Sequence, residues 1–316
     1  MDDVFGISVK QVHGADLGSA AEAEADWMRE RLTTTGAVLL RGARASGIAE
    51  FQHALQAVGF APLQYTERST PRSEVVDGVF TSTEYAAREV IPQHNESSYA
   101  AEWPGRLAFH CVSPALTGGA TPIADVSAVL RDVPARIRAA VEERGLRYVR
   151  NYGSGVGLDW RAAFQTRSRA AVEDYCRAKG MDFQWRDDDC LRTSRQAPGL
   201  AVNPVTGAAI WFNHLVLFHQ SALRPEVRSA LVSVLGEDGL PNDVFFGDGA
   251  PIPDDDVNEV RWAFARHTRR FDWERNDLLV IDNMWWSHGR EAFTGKRRIL
   301  VSMSDVVSAR QPALAP

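Results

Sequence analysis

The chain has 316 residues, of which 45% are hydrophobic and 24% are charged, and its net charge is −6. This length is enough for one large hydrophobic core or two modest ones. The mild negative charge, without any cluster of lysine and arginine, argues against nucleic acid and anionic membrane surfaces as partners. No stretch of 18 apolar residues occurs in the sequence, so we expect no membrane-spanning helix.

The N-terminal segment and the cysteines predict a cytoplasmic protein. Residues 1–5 lack the basic start and the apolar stretch of a secretory signal peptide. The three cysteines, Cys111, Cys176 and Cys190, have no metal-type spacing and are odd in number. We therefore expect free thiols rather than a disulfide framework. The sequence leaves open whether the chain forms a homo-oligomer.

The N-terminal part of the chain predicts two helices on either side of a buried strand. Ser19 can cap a helix that runs to about Leu32, and Gly36 closes that helix. Residues 37–40 are typical of a buried strand. A second helix is predicted over residues 48–58.

From about Asp77 onward, short runs of β-forming residues alternate irregularly with helical segments. The predicted strands are residues 79–81, 107–112, 146–149, 182–185, 209–212, 278–281 and 299–303. The predicted helices are residues 134–143, 169–179, 225–235 and 254–267.

Many short strands with helices packed outside them predict a mainly β fold with helical decoration. The expected architecture is a double-stranded β-helix, the jelly-roll barrel. The alternative is an α/β sheet, which is disfavoured because no glycine-rich phosphate-binding fingerprint follows a predicted strand. No repeat or long linker interrupts the chain, so residues 1–316 are predicted to form one domain.

The stretch Ile91-Pro92-Gln93-His94-Asn95-Glu96 is the most informative part of the sequence. Residues two apart on a strand point to the same face, so His94 and Glu96 can direct an imidazole nitrogen and a carboxylate oxygen at one point. A third ligand must come from elsewhere, and His288 is the natural candidate. Two histidines and one carboxylate on one face of an ion form the facial triad of non-haem Fe(II) oxygenases. The tripeptide alone is weak evidence, because a surface turn with a solvated Glu96 is the alternative.

Six segments in order along the chain add to this motif. They are residues 93–99 (QHNESSY), 103–104 (WP), 118–125 (GGATPIAD), 279–283 (LVIDN), 288–290 (HGR) and 295–300 (GKRRIL). Through them the chain, from about residue 36 to 303, resembles the taurine/2,4-D dioxygenase family of Fe(II)- and 2-oxoglutarate-dependent oxygenases. This family belongs to the clavaminate-synthase-like superfamily. The most similar branch is that of the syringomycin-pathway aspartyl hydroxylase.

The resemblance implies roles for particular residues. His94, Glu96 and His288 are expected to ligate Fe(II). The family binds 2-oxoglutarate with an arginine about ten residues beyond the distal histidine, which matches Arg298, with Arg297 as the alternative. A guanidinium suits a dicarboxylate because it offers two parallel N–H donors. Thr121 matches the family's hydroxyl that helps to hold the same carboxylate.

Candidate substrate contacts lie in segments that relatives use around this pocket. Arg290, two residues after His288, is a candidate hook for a substrate carboxylate. For each candidate, a structural role is the alternative. The substrate-binding candidates are Asn95, Ser97, Asn213, His214 and Arg290. Arg68 and Arg72 lie in a polar loop that is either a lid or a solvated loop.

The resemblance implies a dioxygenase that uses Fe(II), 2-oxoglutarate and O2. The expected reaction is hydroxylation of an unactivated C–H bond in a free or carrier-bound amino acid, or a derivative, in natural-product (antibiotic) biosynthesis. Desaturation or cyclisation by the same iron site is the alternative outcome. A zinc hydrolase with the same three ligands and a non-catalytic jelly-roll binding protein are the alternatives from other classes.

Three departures from relatives refine this expectation. Halogenating relatives replace the carboxylate ligand with a small residue, whereas this chain keeps Glu96. Sulfonate-using relatives carry a basic residue four positions after the cosubstrate arginine, and here that position is Ser302. Relatives often have Gly-Asp before the distal strand where this chain has Asn276-Asp277. Asparagine tolerates a left-handed turn, so the fold is expected to be unaffected.

Overall fold

The computed structural model describes residues 3–4, 6–63, 67, 74–76, 78–82, 85–153 and 155–308. Its strands, in chain order, are β1 (Asp3–Val4), β2 (Ile7–Gln11), β3 (Ala37–Arg41), β4 (Glu74–Val76), β5 (Val79–Thr81), β6 (Ile91–His94), β7 (Glu102–Ser113), β8 (Thr117–Gly118), β9 (Ile123–Asp125), β10 (Leu146–Tyr152), β11 (Asp182–Trp185), β12 (Leu191–Ala197), β13 (Ala201–Val202), β14 (Ala209–Ile210), β15 (Asn242–Phe246), β16 (Thr268–Arg269), β17 (Leu278–Asp282), β18 (Trp286–Arg290), β19 (Phe293–Thr294) and β20 (Arg298–Ser308).

The helices follow the same order. They are α1 (Leu17–Ala23), α2 (Ala25–Thr34), α3 (Ile48–Ala57), α4 (Val126–Asp132), α5 (Ala135–Arg144), α6 (Trp160–Phe164), α7 (Arg169–Ala178), α8 (Leu215–Phe218), α9 (Pro225–Leu235) and α10 (Asp254–His267). None of the helices in the described part of the chain is long and apolar enough to span a bilayer.

An eight-stranded sheet organises the structure, with strand order β1-β2-β3-β17-β7-β20-β5-β4. β2 and β3 pair in parallel, and the other neighbours pair in antiparallel fashion. One face of this sheet packs against α1, α2 and α3 through residues such as Val280, Met28 and Phe51. The opposite face carries Phe109 and Val301 and packs toward a second sheet.

The second sheet has four strands in the order β16-β9-β18-β6. Its residues Ile123 and Trp286 share a buried cluster with Phe109, Ile281 and Val301 of the large sheet. The two sheets therefore stack face to face over a common apolar core. A third sheet, in the order β11-β12-β10-β15, packs beside α4, α8 and α10.

The structure consists of mixed sheets with helices packed against them, which confirms the expected fold class only in this coarser form. The described strands form open, stacked sheets, and no closed barrel appears among them. Most predicted elements are present, and the bounds of α9 and α10 match the prediction residue for residue. The run 209–212 is strand only over Ala209–Ile210.

The predicted helix from Ser19 to Leu32 is wrong in its start and its continuity. The side chain of Asp16, not Ser19, caps α1, because an Asp16 carboxylate oxygen accepts the backbone N–H of Ser19 at 3.0 Å. Glu24 has φ −104° and ψ 11°, which departs from helical geometry and separates α1 from α2.

A buried ion pair joins two neighbouring strands of the large sheet. Arg41 at the end of β3 donates to Asp277, just before β17, through Nε at 3.0 Å and Nη2 at 2.6 Å. Asp277 is fully buried, and it also accepts the backbone N–H of Glu274 at 2.8 Å. Asn276 adopts φ +72°, as the sequence predicts for this turn.

Replacing Asp277→Asn removes the charge that offsets the buried Arg41 guanidinium. We expect a loss of about 3 kcal/mol in the free energy of unfolding, because Arg41 then keeps only the exposed carboxylate of Glu274, 3.0 Å from its Nη1, as an ionic partner. Urea denaturation measures this loss. Asp272→Asn at an exposed pair with Arg270 is the matched control and should cost less than about 1 kcal/mol. Equal losses in the two variants would contradict the prediction.

Candidate active site

His94, Glu96 and His288 come together between the two stacked sheets. One potential ligand atom from each lies within 4.8 Å of the others, and all three side chains are buried. His94 and His288 are directly opposite each other on β6 and β18, and their ring centroids are 4.3 Å apart. Nε2 of His288 lies 3.7 Å from Oε2 of Glu96. Among the described residues, this is the one cluster of three histidine, cysteine or acidic side chains with metal-binding geometry.

The hydrogen bond of the His94 ring suits a metal ligand. Its Nδ1 lies 2.8 Å from the carbonyl oxygen of Pro92. A neutral imidazole that donates from Nδ1 to this carbonyl presents the lone pair of Nε2. Two imidazoles and a carboxylate in one buried cluster match the donor set of a non-haem Fe(II) site. These residues therefore fit a facial iron site.

Glu96 reaches this cluster from a turn rather than from a strand. β6 ends at His94, so the predicted alternation along one strand does not itself position Glu96. The chain turns directly after Glu96, where Ser97 adopts φ +56°. The expectation that His94 and Glu96 converge agrees with the structure, but the physical cause differs.

Asn283, at the end of β17, holds this turn. Its side-chain oxygen accepts the backbone N–H of Glu96 at 2.8 Å. Its amide nitrogen donates to the carbonyl oxygens of Glu96 at 3.0 Å and of Pro104 at 2.8 Å. Asn283 is completely buried. Sequence reasoning missed this role, although a polar residue that follows a fully apolar strand was a visible signal.

A cavity of about 400 Å³ opens beside the two histidines. His94, His288 and Thr121 line it together with Arg297, Phe109 and neighbouring apolar residues. Arg297 donates from Nε to the carbonyl oxygen of Gly119 at 2.8 Å and from Nη2 to Oγ1 of Thr121 at 3.2 Å. Burial, together with the nearby Arg290, lowers the pKa of Arg297 to about 10, so the guanidinium stays charged at neutral pH.

Arg298, the arginine preferred from the sequence, does not line this cavity. Its side chain is exposed, whereas the next residue, Ile299, is buried and lines the cavity. Arg297 lies just before β20, and the register of β20 shifts between Arg298 and Ile299, so strand alternation does not decide between the two arginines. The lining of the cavity does, because it includes Arg297 and not Arg298.

Two of the residues predicted to bind substrate form hydrogen bonds with the protein backbone. Asn95 donates to the carbonyl oxygens of Asn283 at 2.6 Å and Trp286 at 3.3 Å. Asn213 donates to the carbonyl oxygen of Gly199 at 2.7 Å and accepts the N–H of Leu215 at 3.0 Å. Both side chains are buried, and these contacts favour their structural alternative.

Arg290 lines the cavity but holds a loop of the chain. Nη1 donates to the carbonyl oxygen of Tyr85 at 2.9 Å, and Nη2 donates to those of Ala86 at 2.7 Å and Glu89 at 2.8 Å. Because both terminal nitrogens donate to main-chain oxygens, this geometry favours the structural alternative for Arg290 over binding of a substrate carboxylate. Its guanidinium instead secures residues 85–89 at the cavity.

His214 and Ser97 remain close to the metal-ligand cluster. His214 is buried, its ring centroid is 5.5 Å from that of His94, and its Nδ1 lies 2.7 Å from Oγ of Ser98. Burial lowers the pKa of His214 well below its usual value, so the ring is neutral. Ser97, which directly follows Glu96 in the chain, lines a second cavity and not the one beside the two histidines. Arg68 and Arg72 lie outside the described residues.

The chain matches known proteins over most of its length. The family described as "Taurine catabolism dioxygenase TauD, TfdA family" matches residues 3–303. The chain belongs to this family. It is accordingly a dioxygenase of the type that uses Fe(II), 2-oxoglutarate and O2.

Two relatives are similar over most of both chains. The chain is 39% identical over 278 residues to the dapdiamide synthesis protein DdaC of Enterobacter agglomerans, covering 88% of this chain and 84% of the relative. It is 31% identical over 284 residues to a clavaminate synthase-like protein of Arabidopsis thaliana, covering 86% and 82%.

Solved structures share the fold at low sequence identity. PvcB of Pseudomonas aeruginosa matches with a TM-score of 0.53 and 16% identity, over 94% of this chain and 85% of the other. A second PvcB structure, described as an Fe, alpha-ketoglutarate dependent oxygenase from an isonitrile synthetic pathway, matches with the same TM-score and identity over 96% and 89%.

Replacing Asn283→Ala should loosen the turn that carries Glu96. Three buried backbone groups would lose their partner, so we expect a loss of about 3 kcal/mol in unfolding free energy. We also expect Fe(II) affinity to fall about 10-fold, because residues that orient metal ligands have effects of this size. Equilibrium dialysis at a temperature where the variant is folded measures the affinity.

Asn258→Ala is the matched control for this variant. Asn258 lies on α10 and accepts from Arg261 at 2.7 Å at a partly buried site far from the ligands in sequence. Its replacement should leave Fe(II) affinity unchanged. An unchanged affinity in Asn283→Ala as well would show that Asn283 does not position Glu96.

Proposed function

We propose that this dioxygenase hydroxylates an unactivated C–H bond of an amino acid, or an amino-acid derivative, in natural-product biosynthesis. The reaction type is inferred from the buried cluster of His94, Glu96 and His288, which lies beside a cavity that Arg297 lines. The similarity to a dapdiamide synthesis protein supports the biosynthetic setting.

His94, Glu96 and His288 would hold the iron. Fe(II) bound there supplies the O2 chemistry that couples conversion of 2-oxoglutarate to succinate and CO2 with oxidation of a C–H bond. The protein's residues hold the ligands in place and exclude water: Phe109 packs against His288 with ring centroids 5.3 Å apart. Retention of Glu96 favours hydroxylation over halogenation, with desaturation and cyclisation as the alternative outcomes.

Arg297, in place of Arg298, and Thr121 would hold the distal carboxylate of 2-oxoglutarate. Oγ1 of Thr121 accepts from Nε1 of Trp273 at 3.0 Å and from Nη2 of Arg297 at 3.2 Å. With both lone pairs engaged, the Thr121 hydroxyl proton is left to donate to an anion. Counting four residues from Arg297 leads to the apolar Val301, so a sulfonate subsite is absent with either arginine.

The remaining expectations belong to the same proposal. One jelly-roll domain over residues 1–316 is supported by the large sheet, in which β2 and β3 from the N-terminal part share hydrogen bonds with β17. A cytoplasmic location is supported by the buried Cys111 and Cys176, which form no disulfide. No observation on the described residues favours a homo-oligomer over a monomer.

Anaerobic addition of Fe(II) and 2-oxoglutarate should produce a weak visible absorption band in the wild-type protein. His94→Ala removes one proposed ligand, so we expect the band and succinate formation to be lost. His267→Ala is the control, because His267 pairs with Asp132 on the surface and should not affect either signal. Absence of the band in the wild type, or its persistence in His94→Ala, would reject the metal assignment.

The two neighbouring arginines provide a matched test of the cosubstrate site. Arg297→Gln should raise the KM for 2-oxoglutarate about 100-fold, since a charged donor pair to a carboxylate contributes about 3 kcal/mol. Arg298→Gln should change this KM less than twofold, because its side chain is exposed. Steady-state succinate formation gives both values. The reverse ranking would restore Arg298 as the cosubstrate arginine.

A further inference from the structure

A second cavity lies next to the metal-ligand cluster. The cosubstrate site proposed at Arg297 and Thr121 does not use it. Ser97, which lines this cavity, directly follows Glu96 in the chain. Met303 also lines it, two residues beyond Val301, which lines the first cavity. Residues two apart on a strand share a face and are separated by about 6.6 Å. The second cavity therefore continues along the same face of β20, on the side away from Arg297.

The walls of the second cavity are mostly apolar. Leu63, Trp103, Pro104 and Met303 line it, and Met303 and Trp103 are buried. Apolar walls of this kind, with a few placed polar groups, are typical of small-molecule sites. The cavity thus suits a ligand with an aliphatic or aromatic body.

An ion pair stands at the rim of the second cavity. Nζ of Lys179 lies 2.8 Å from Oε1 of Glu102, and their side chains are 25% and 47% exposed. Lys179 follows Tyr175 by four residues at the end of α7, so both face the cavity. The Tyr175 hydroxyl donates to Oε2 of the buried Glu67 at 2.9 Å, which fixes this wall.

The ion pair favours ligands of one charge type. A ligand with one charge that pairs with one partner takes that partner from its counter-ion, so the number of ion pairs does not rise and, at this partly exposed site, little binding energy is gained. A ligand that carries both a carboxylate and an ammonium replaces one ion pair with two. A zwitterion is therefore the charge type that this rim accepts.

We propose that the second cavity binds the substrate and that the substrate is a free amino acid. Its carboxylate pairs with Lys179, its ammonium pairs with Glu102, and its side chain extends past Trp103 toward Ser97 and the metal ligands. An amino acid tethered to a carrier has lost the carboxylate charge to the thioester and cannot satisfy Lys179. This inference rests on the proposed function, because it assigns the substrate of that same iron site.

The test is anaerobic calorimetric titration of the full-length protein with each of the twenty protein amino acids, with and without Fe(II) and 2-oxoglutarate. At least one amino acid should bind. Its carboxamide and its decarboxylated amine should bind at least 10-fold more weakly, since each lacks the charge that pairs with Lys179. Binding of the carboxamide as tightly as the amino acid would overturn the proposal, as would the absence of binding by any amino acid.

Variants of Lys179 and Glu102 test whether the amino acid binds at this cavity. Lys179→Gln and Glu102→Gln should each weaken binding at least 10-fold. The double variant Lys179→Glu/Glu102→Lys keeps an ion pair but reverses its polarity, and it should also bind at least 10-fold more weakly while its thermal midpoint stays near wild type. Asp174→Asn, at an exposed pair on the same helix, is the control and should bind as the wild type does. Unchanged binding in the rim variants would overturn the proposal.

The outcomes separate this inference from the proposed function. If amino acids bind by these rules but no succinate is formed, the cavity assignment stands and the oxygenase proposal fails. If succinate forms with a carrier-bound amino acid and no free amino acid binds, the oxygenase proposal stands and the cavity assignment fails.

Discussion

The hydrogen bonds of the Asn283 side chain are the contact on which the arrangement of the site depends. They connect the end of β17 in the large sheet to the backbone of Glu96 and to Pro104 at the start of β7. Glu96 lies in a turn with no strand partner of its own, so without Asn283 its backbone N–H would be buried and unpaired. The side-chain amide of Asn283 thus makes the hydrogen bonds to the Glu96 backbone that a neighbouring strand would otherwise make, and it holds the Glu96 carboxylate close to the two histidines.

The buried arginines near the site divide into two kinds by the groups they contact. Arg290 donates to three main-chain carbonyl oxygens and thereby fixes the loop of residues 85–89. Arg297 donates to the carbonyl oxygen of Gly119 and to the hydroxyls of Thr121 and Ser82, and no carboxylate of the described residues pairs with it. A buried guanidinium without an acidic partner is costly, which makes an anionic ligand favourable there. This difference in partners supports the proposal that Arg290 has a structural role and that Arg297 binds an anion.

Much of the fold follows from local sequence. The periodicity of α9 and α10 and the apolar runs of β17 and β20 are visible without any tertiary information, because their patterns match the geometry of one element. The separation of α1 from α2 was not visible, since it depends on the cap that Asp16 supplies and on the backbone of Glu24. The strand β14 is shorter than the predicted run because its partner, β13, has only two residues, and periodicity does not contain the length of a partner strand.

The sequence by itself determined the residue types of the site: His94 and Glu96 in one motif, a distal His288, and an arginine before an apolar strand. The three ligands could be inferred because donor chemistry and spacing are local properties, whereas the arginine was implied by the resemblance to the family. Only the tertiary structure decided which arginine faces the cavity, that Arg290 binds backbone, and that Glu96 depends on Asn283. Each of these depends on the direction of a side chain relative to elements more than 150 residues away, or on which side of a strand faces the core. Such directions arise from packing and are not encoded in any one segment.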